Sequence, residues 1–398
     1  MVGGAGLLML GSHVDAAINE ASRGLAAGGE RARAFHTALR GGLGSPDATG
    51  LRLPAGFSAR VVARSGDALG ASGYTWHRSP DGGACFVAPD RGWIYVSNAE
   101  TPDSGGVGAI RFAADGTITD AYPILSGTRI NCAGGRTPWN TWLSCEEHDA
   151  GLVWECDPFK PGNGIARPGL GTFAHEACCV DPRGRHVYLT EDRGDDSGLY
   201  RFTPTRYPDL SAGVLEIAEL DGDPLAGRAR VRWHRLPNPN PGERDVACRR
   251  QVEAAHEFRR GEGMFFHDGT VWFTTTADHR VWAYRCRDAT ITVAYDPSAR
   301  ERDGRDAPLR KPDNLTVGGD GLIYVAEDGD DLQIVMLSSA GDALPLLQLV
   351  GHDSSEIAGP AFSPDGSRLY FSSQRGMGRN GASGLTYEVS GPFPAARG

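Results

Sequence analysis

Residues 131–148 read Asn-Cys-Ala-Gly-Gly-Arg-Thr-Pro-Trp-Asn-Thr-Trp-Leu-Ser-Cys-Glu-Glu-His, and three of them can do chemistry: the Cys132 thiol and the adjacent carboxylates Glu146 and Glu147. Strands seldom end on two glutamates, because like charges repel and Glu is depleted in sheets. A cation at that end would remove the repulsion. Cys132 lies in a glycine-rich turn where backbone can approach closely. A thiolate suits iron or another transition metal, whereas carboxylate oxygens in number suit Ca2+ or Mg2+.

The same acidic device recurs along the chain. Short aromatic-rich strands run into Glu100, Glu146/Glu147, Glu191/Asp192, Thr276 and Glu327/Asp328, and potential ligands stand 14 or 15 residues before the last four of these strand ends, at Cys132, Glu176, Glu262 and Asp313. In a hairpin the start of the first strand and the end of the second share one edge. Each hairpin therefore offers two positions to one face. Any single acidic pair reads equally as a solvated strand end. Four in phase read as a ring of ligands, since carboxylates gathered on one axis are costly without cations.

The elements that must position these residues are short strands separated by turns. Fifty-five glycines and 25 prolines in 398 residues, with short apolar runs between them, suit turn-dense all-β architecture. Six segments share one grammar of apolar strand, Asp-Gly type turn and aromatic strand, ending near residues 100, 147, 192, 276, 328 and 374. Most intervals match the roughly 40–50 residues of a propeller blade. The gap from 192 to 276 is nearly double and holds an insertion or one more blade. The expectation is a six-bladed β-propeller over 51–398, with seven blades open, preceded over 1–50 by an N-terminal tether or remnant export signal carrying a short helix.

Several classes are disfavoured. A formal charge of −10 argues against a nucleic-acid partner. No stretch is long and apolar enough to span a bilayer as a helix. The eight cysteines show no zinc-type spacing, and apart from Cys132 they read as small buried hydrophobes. No zincin, serine-hydrolase elbow or phosphate-loop motif is present. His148 and His175 flank carboxylates and can support ligands. The oligomeric state stays open, a monomer being sufficient.

The stretch from Asn131 to Glu147 resembles the signature of PhoX-like alkaline phosphatases; 174–177 (Ala-His-Glu-Ala), 189–192 (Leu-Thr-Glu-Asp), Asp313-Asn314 and 326–328 (Ala-Glu-Asp) are similar to further segments of that family, over about residues 50–395. The resemblance implies an exported β-propeller hydrolase of phosphate monoesters whose channel holds two ferric ions (Fe3+) bridged by a cysteine, with Ca2+ alongside. It implies Cys132 as the bridging thiolate and Glu147, Glu176, Glu262 and Asp313 as catalytic metal ligands. Glu100, Glu146, Glu191, Glu327 and Asp328 then fall to calcium. Arg136, or Arg259 and Arg260 beside Glu262, would grip the phosphate of a small-molecule ester bidentately. Two other readings remain: a calcium-dependent lactonase or esterase using carboxylates with Asn98 and Asn314, and a non-catalytic binding propeller stabilised by calcium.

Overall fold

The computed structural model describes residues 30–394 apart from 71, 163, 339, 340 and 379, so the expectations for residues 1–29 lie outside it. Six blades surround a central axis, two of them joined into one nine-stranded sheet. Blade 1 comprises Pro80–Val87, Trp93–Ala99, Gly105–Phe112 and Ile118–Thr128. Blade 2 comprises Asn131–Arg136, Trp142–Glu146, Val153–Cys156 and Ile165–Ala166. Blade 3 begins with His175–Asp181 and His186–Glu191, blade 4 with Gly261–His267 and Thr270–Thr275, blade 5 with Pro312–Val317 and Ile323–Glu327, and blade 6 with Ile357–Phe362 and Arg368–Ser373. The innermost strands touch in chain order, and the sixth touches the first. The fold is a six-bladed β-propeller.

Each blade is covered on both faces by its neighbours, so its strands are continuous apolar runs rather than alternating ones. Trp93–Ala99 and Gln333–Leu337 are buried at every position. Six hydrophobic clusters fill the six interfaces, one each. Leu143 and Cys145 pack on Cys178 and Leu189 between blades 2 and 3, and Tyr95 meets Tyr370 between blades 1 and 6. Burying each large apolar side chain contributes roughly 1.5–3 kcal/mol. Every described cysteine is a free thiol and all but Cys286 are buried.

The ring closes by mixing chain ends. Ser58–Arg64 pairs with Leu385–Ser390 as the outer strand of blade 6, and Arg60 grips the buried Glu388 through two hydrogen bonds of 3.1 and 2.8 Å. Leu51–Arg52 extends blade 5. The described part of the N-terminal stretch contains helix Glu30–Arg40, whose Phe35 and Leu39 pack into the cluster between blades 5 and 6. The long gap between residues 192 and 276 is an insertion. Its strand Ala229–Arg235 pairs with Thr290–Tyr295 and fuses the outer edges of blades 3 and 4, and no seventh blade forms among the described residues.

Candidate active site

One device repeats in all six blades. The second strand ends at Ala99, Glu146, Glu191, Thr275, Glu327 or Ser373, opposite Pro80, Asn131, His175, Gly261, Pro312 or Ile357 of the innermost strand. The next residue on each strand forms a slot at the channel mouth. The inner slots hold Asp81, Cys132, Glu176, Glu262, Asp313 and Ala358; the outer slots hold Glu100, Glu147, Asp192, Thr276, Asp328 and Gln374. In every blade the register slips within the next few residues, and such bulges re-aim side chains.

Each outer slot is pinned by its own backbone. The N–H groups of Glu100, Glu147, Asp192, Thr276, Asp328 and Gln374 donate to the carbonyls of Ser79, Ile130, Ala174, Arg260, Lys311 and Glu356 at 2.8–3.2 Å. Four of those acceptors, Ser79, Ile130, Arg260 and Lys311, are left-handed, with φ between 39° and 56°. A β-branched residue such as Ile130 pays steric strain there, of a kind that concentrates at functional sites.

Three groups of donors form at this end: Asp81, Glu100 and Cys132; Cys132, Glu147 and Glu176; and Glu176, Glu262 and Asp313. Within each group the donor atoms lie within 4.8 Å of one another. Cys132 and Glu176 are each shared by two groups, so the three are one continuous cluster. Both carboxylate oxygens of Glu176 are buried with no N–H or O–H donor reaching them. Asp81 and Glu100 are pushed up to about 7 and about 8, first by burial and then by neighbouring carboxylates. Glu147, Glu176, Glu262 and Asp313 rise well above the ordinary range for the same reasons, and burial lifts the Cys132 thiol. A cation reverses that preference by favouring the charged forms. The residues therefore fit a multinuclear metal centre.

Second contacts hold the ligands. Asn98 donates from Nδ2 to the carbonyls of Cys132 (3.1 Å) and Ala133 (2.7 Å), while its Oδ1 accepts from Trp142 Nε1 and Ser144 Oγ. Asn314 donates to Asp313 Oδ1 at 2.8 Å and accepts the Gly359 N–H. Both amides are thus occupied in fixing the ring. His175 is fully buried and bonded to the Gly171 carbonyl.

The acidic pairs divide their labour, because successive strand residues face opposite ways. Glu146 accepts from the Arg129 and Leu152 N–H groups and from Trp154 Nε1. Glu327 accepts from the Arg310 and Gln333 N–H groups, and Glu191 from Gly198 N–H, Tyr200 and Arg249. These three carboxylates turn into their blades and join none of the donor groups. Glu147, Asp192 and Asp328 occupy the slots instead.

Arginines sort equally sharply. Arg260 contacts Asp192 at 2.7 Å and Glu262 at 3.1 Å at the cluster's edge. Arg259 is exposed and paired with Asp195. Arg136 lies four residues beyond Cys132, about 13 Å along the strand, stacked on Phe86 in a funnel of about 450 Å³ at the other end of the channel. No carboxylate lines that funnel. Between the two ends the inner strands pack tightly: a Cβ on Gly82 would meet Ala133 Cα at 2.5 Å, and one on Gly263 would meet Asn314 Cα at 2.4 Å.

Sequence reasoning missed two acids. Asp81 precedes Glu100 by 19 residues, outside the spacing of about 15 used to find the others, in Pro-Asp-Gly-Gly, which reads as a turn. Glu356 is buried beside Arg375 at 2.9 Å and pushed up to about 8 by burial.

No curated protein matches the chain in sequence. Among solved structures, Pseudomonas fluorescens PhoX in complex with vanadate, a transition-state analogue, superposes with a TM-score of 0.70 at 19% identity, covering 86% of this chain and 96% of that one. A protein of unknown function from Bacteroides thetaiotaomicron VPI-5482 gives a TM-score of 0.52 at 10% identity over 84% and 76%. At these identities the likenesses speak to the fold alone. The family model for alkaline phosphatase PhoX matches residues 105–376, from blade 1 into blade 6 and across most of the donor cluster. The chain therefore belongs to the PhoX alkaline phosphatase family, and its activity is that of a phosphoric monoester hydrolase.

Proposed function

We propose that the chain hydrolyses small phosphate monoesters at an iron- and calcium-containing centre held at the acidic end of the channel. The observation that carries this reading is the place of Cys132, one thiol shared between two otherwise all-carboxylate groups. A thiolate favours a transition metal, and ferric iron agrees with the family resemblance. The purely carboxylate group of Glu176, Glu262 and Asp313 offers the hard oxygen donors that calcium prefers. Bound metal would supply Lewis-acid polarisation of the phosphoryl group.

The chain's own residues do the rest. Arg260, its Nε and Nη2 anchored by Asp192 and Glu262, presents a guanidinium already oriented at the cluster's rim, with Nη1 left to donate to a phosphoryl oxygen. Asn98 holds the Cys132 backbone, so the sulfur need not reorganise when loaded. The tight waist below the ligands directs substrate to the acidic end, and family membership supports export from the cytoplasm as the working site of action.

Elemental analysis and turnover of chromogenic esters test this together. We expect iron and calcium in the purified chain, hydrolysis of a phosphate monoester, and loss of that activity on chelation. Calcium without iron, or faster hydrolysis of a carboxylate ester than of a phosphate ester, would contradict the reading.

A further inference from the structure

Blade 6 departs from the pattern of the other five. Its inner slot is Ala358, which offers no ligand, and its outer slot is Gln374, where four blades place a carboxylate. The Gln374 side chain is buried at 1% exposure, and its Nε2 donates to Asp81 Oδ2 at 2.6 Å and to Glu100 Oε2. An amide NH2 has two hydrogens, and here each serves one carboxylate. Asp81 and Glu100 come from blade 1, whereas Gln374 comes from blade 6 across the seam where the ring closes.

We propose that Gln374 is a positioning residue that holds Asp81 and Glu100 together as a ligand pair for the metal shared with Cys132. The geometry leaves these acids ready to bind. Asp81 Oδ1 accepts the Gly82 N–H at 2.7 Å and Oδ2 accepts Gln374, so the carboxylate plane is held from both oxygens while each keeps a lone pair. Two buried carboxylates repel one another, and a neutral double donor offsets that repulsion without competing for the metal as a third anion would. The slot itself is not short of room for an acid, since Glu100, Glu147, Asp192 and Asp328 occupy its equivalents. Glutamine and glutamate are nearly the same size, so what the amide changes at this position is charge and donor capacity. The neighbouring Arg375 is held by Glu356 at 2.9 Å, and its N–H donates to Ser355 Oγ, so the strand end that carries Gln374 is fixed.

This inference rests on the metal centre proposed above. The test uses the full-length protein and two variants, Gln374→Glu, which keeps shape but adds charge, and Gln374→Leu, which removes the donors without adding charge. The readouts are metal content per chain, the visible thiolate-to-iron absorption, and kcat and KM for a chromogenic phosphate monoester. We expect both variants to weaken metal binding about 10–100-fold, to lose about one ion per chain after dialysis, and to show a shifted or weakened thiolate band. We expect kcat to fall at least about tenfold with KM within about threefold. Full metal content with an unchanged band in either folded variant overturns the proposal. If the parent protein itself holds no iron, the metal-centre reading fails instead, and the two failures are distinguishable.

Discussion

Glu146 and Glu147 are neighbours in sequence and face opposite ways. Glu146 faces into blade 2 and accepts three N–H donors; Glu147 faces the channel and joins Cys132 and Glu176. The same split separates Glu191 from Asp192 and Glu327 from Asp328. Carboxylates turned into blades have their oxygens taken up by N–H and O–H donors of their own blade. On the channel side Glu176 has no donor at either oxygen, whereas Asp192 is taken up by Arg260 at 2.7 and 3.1 Å. A buried carboxylate without a donor destabilises the empty protein, and a cation would offset that cost. The contrast teaches that acidity at a strand end says little until the donors around each oxygen are counted.

Several substitutions can break that contrast, and Cys132→Ser is the most severe. It should lower kcat/KM by at least about a thousandfold, roughly 4 kcal/mol of transition-state stabilisation. The melting temperature of the chelated form should stay within a few degrees, since the buried thiol contributes little packing. Retention of full turnover would show that the thiol is idle. Next comes Arg260→Ala, for which we expect about a 100-fold loss in kcat/KM for a phosphate ester, the size of losing one charge-assisted contact to the phosphoryl group. Its neighbour Arg259→Ala, exposed and facing Asp195, should change kcat/KM by less than about twofold and stability by less than about 0.5 kcal/mol.

The paired glutamates give a finer test. Glu147→Gln should reduce metal affinity about 10–100-fold while the protein stays folded. Glu146→Gln should instead cost about 1–3 kcal/mol of unfolding free energy, because an amide cannot accept at both ends as the carboxylate does, and metal content should be retained. Equal metal loss in both would erase the distinction. Denaturant unfolding and elemental analysis on the two variants decide it.

A milder effect should appear with pH. In the chelated protein Asp81 rises to about 7 and Glu100 and Glu356 to about 8, against ordinary values near 4 in the unfolded chain. The folded state then holds protons that the unfolded state releases. Stability should therefore be greatest below about pH 4 with respect to these groups and fall as pH rises toward about 8. Metal replaces those protons, so the loaded protein should show a flatter trend. Melting temperatures of chelated and loaded protein across pH 5–8 check this, and a chelated form that gains stability with rising pH would contradict it.

Much of this was legible from residues alone. The repeated hairpins announced a ring, and Cys132, Glu176, Glu262 and Asp313 stood out because an acidic or thiol side chain began each inner strand at nearly constant spacing. What stayed hidden was phase. Alternation guarantees that two adjacent acids point apart, but only the register and the bulge after the inner slot decide which one faces the channel. That is why Glu146, Glu191 and Glu327 could not be told from Glu147, Asp192 and Asp328. Asp81 was hidden by the longer strands of blade 1, and Arg260 could not be told from Arg259 without the left-handed backbone that turns it toward Glu262. Gln374 carries no charge to draw attention, and its partners come from the opposite end of the chain.

The most direct test of the metal centre is the visible absorption spectrum of the purified protein beside that of Cys132→Ser. We expect a thiolate-to-iron band in the parent that is absent from the variant. A parent without such a band, or the same band in both proteins, would contradict iron bound at Cys132.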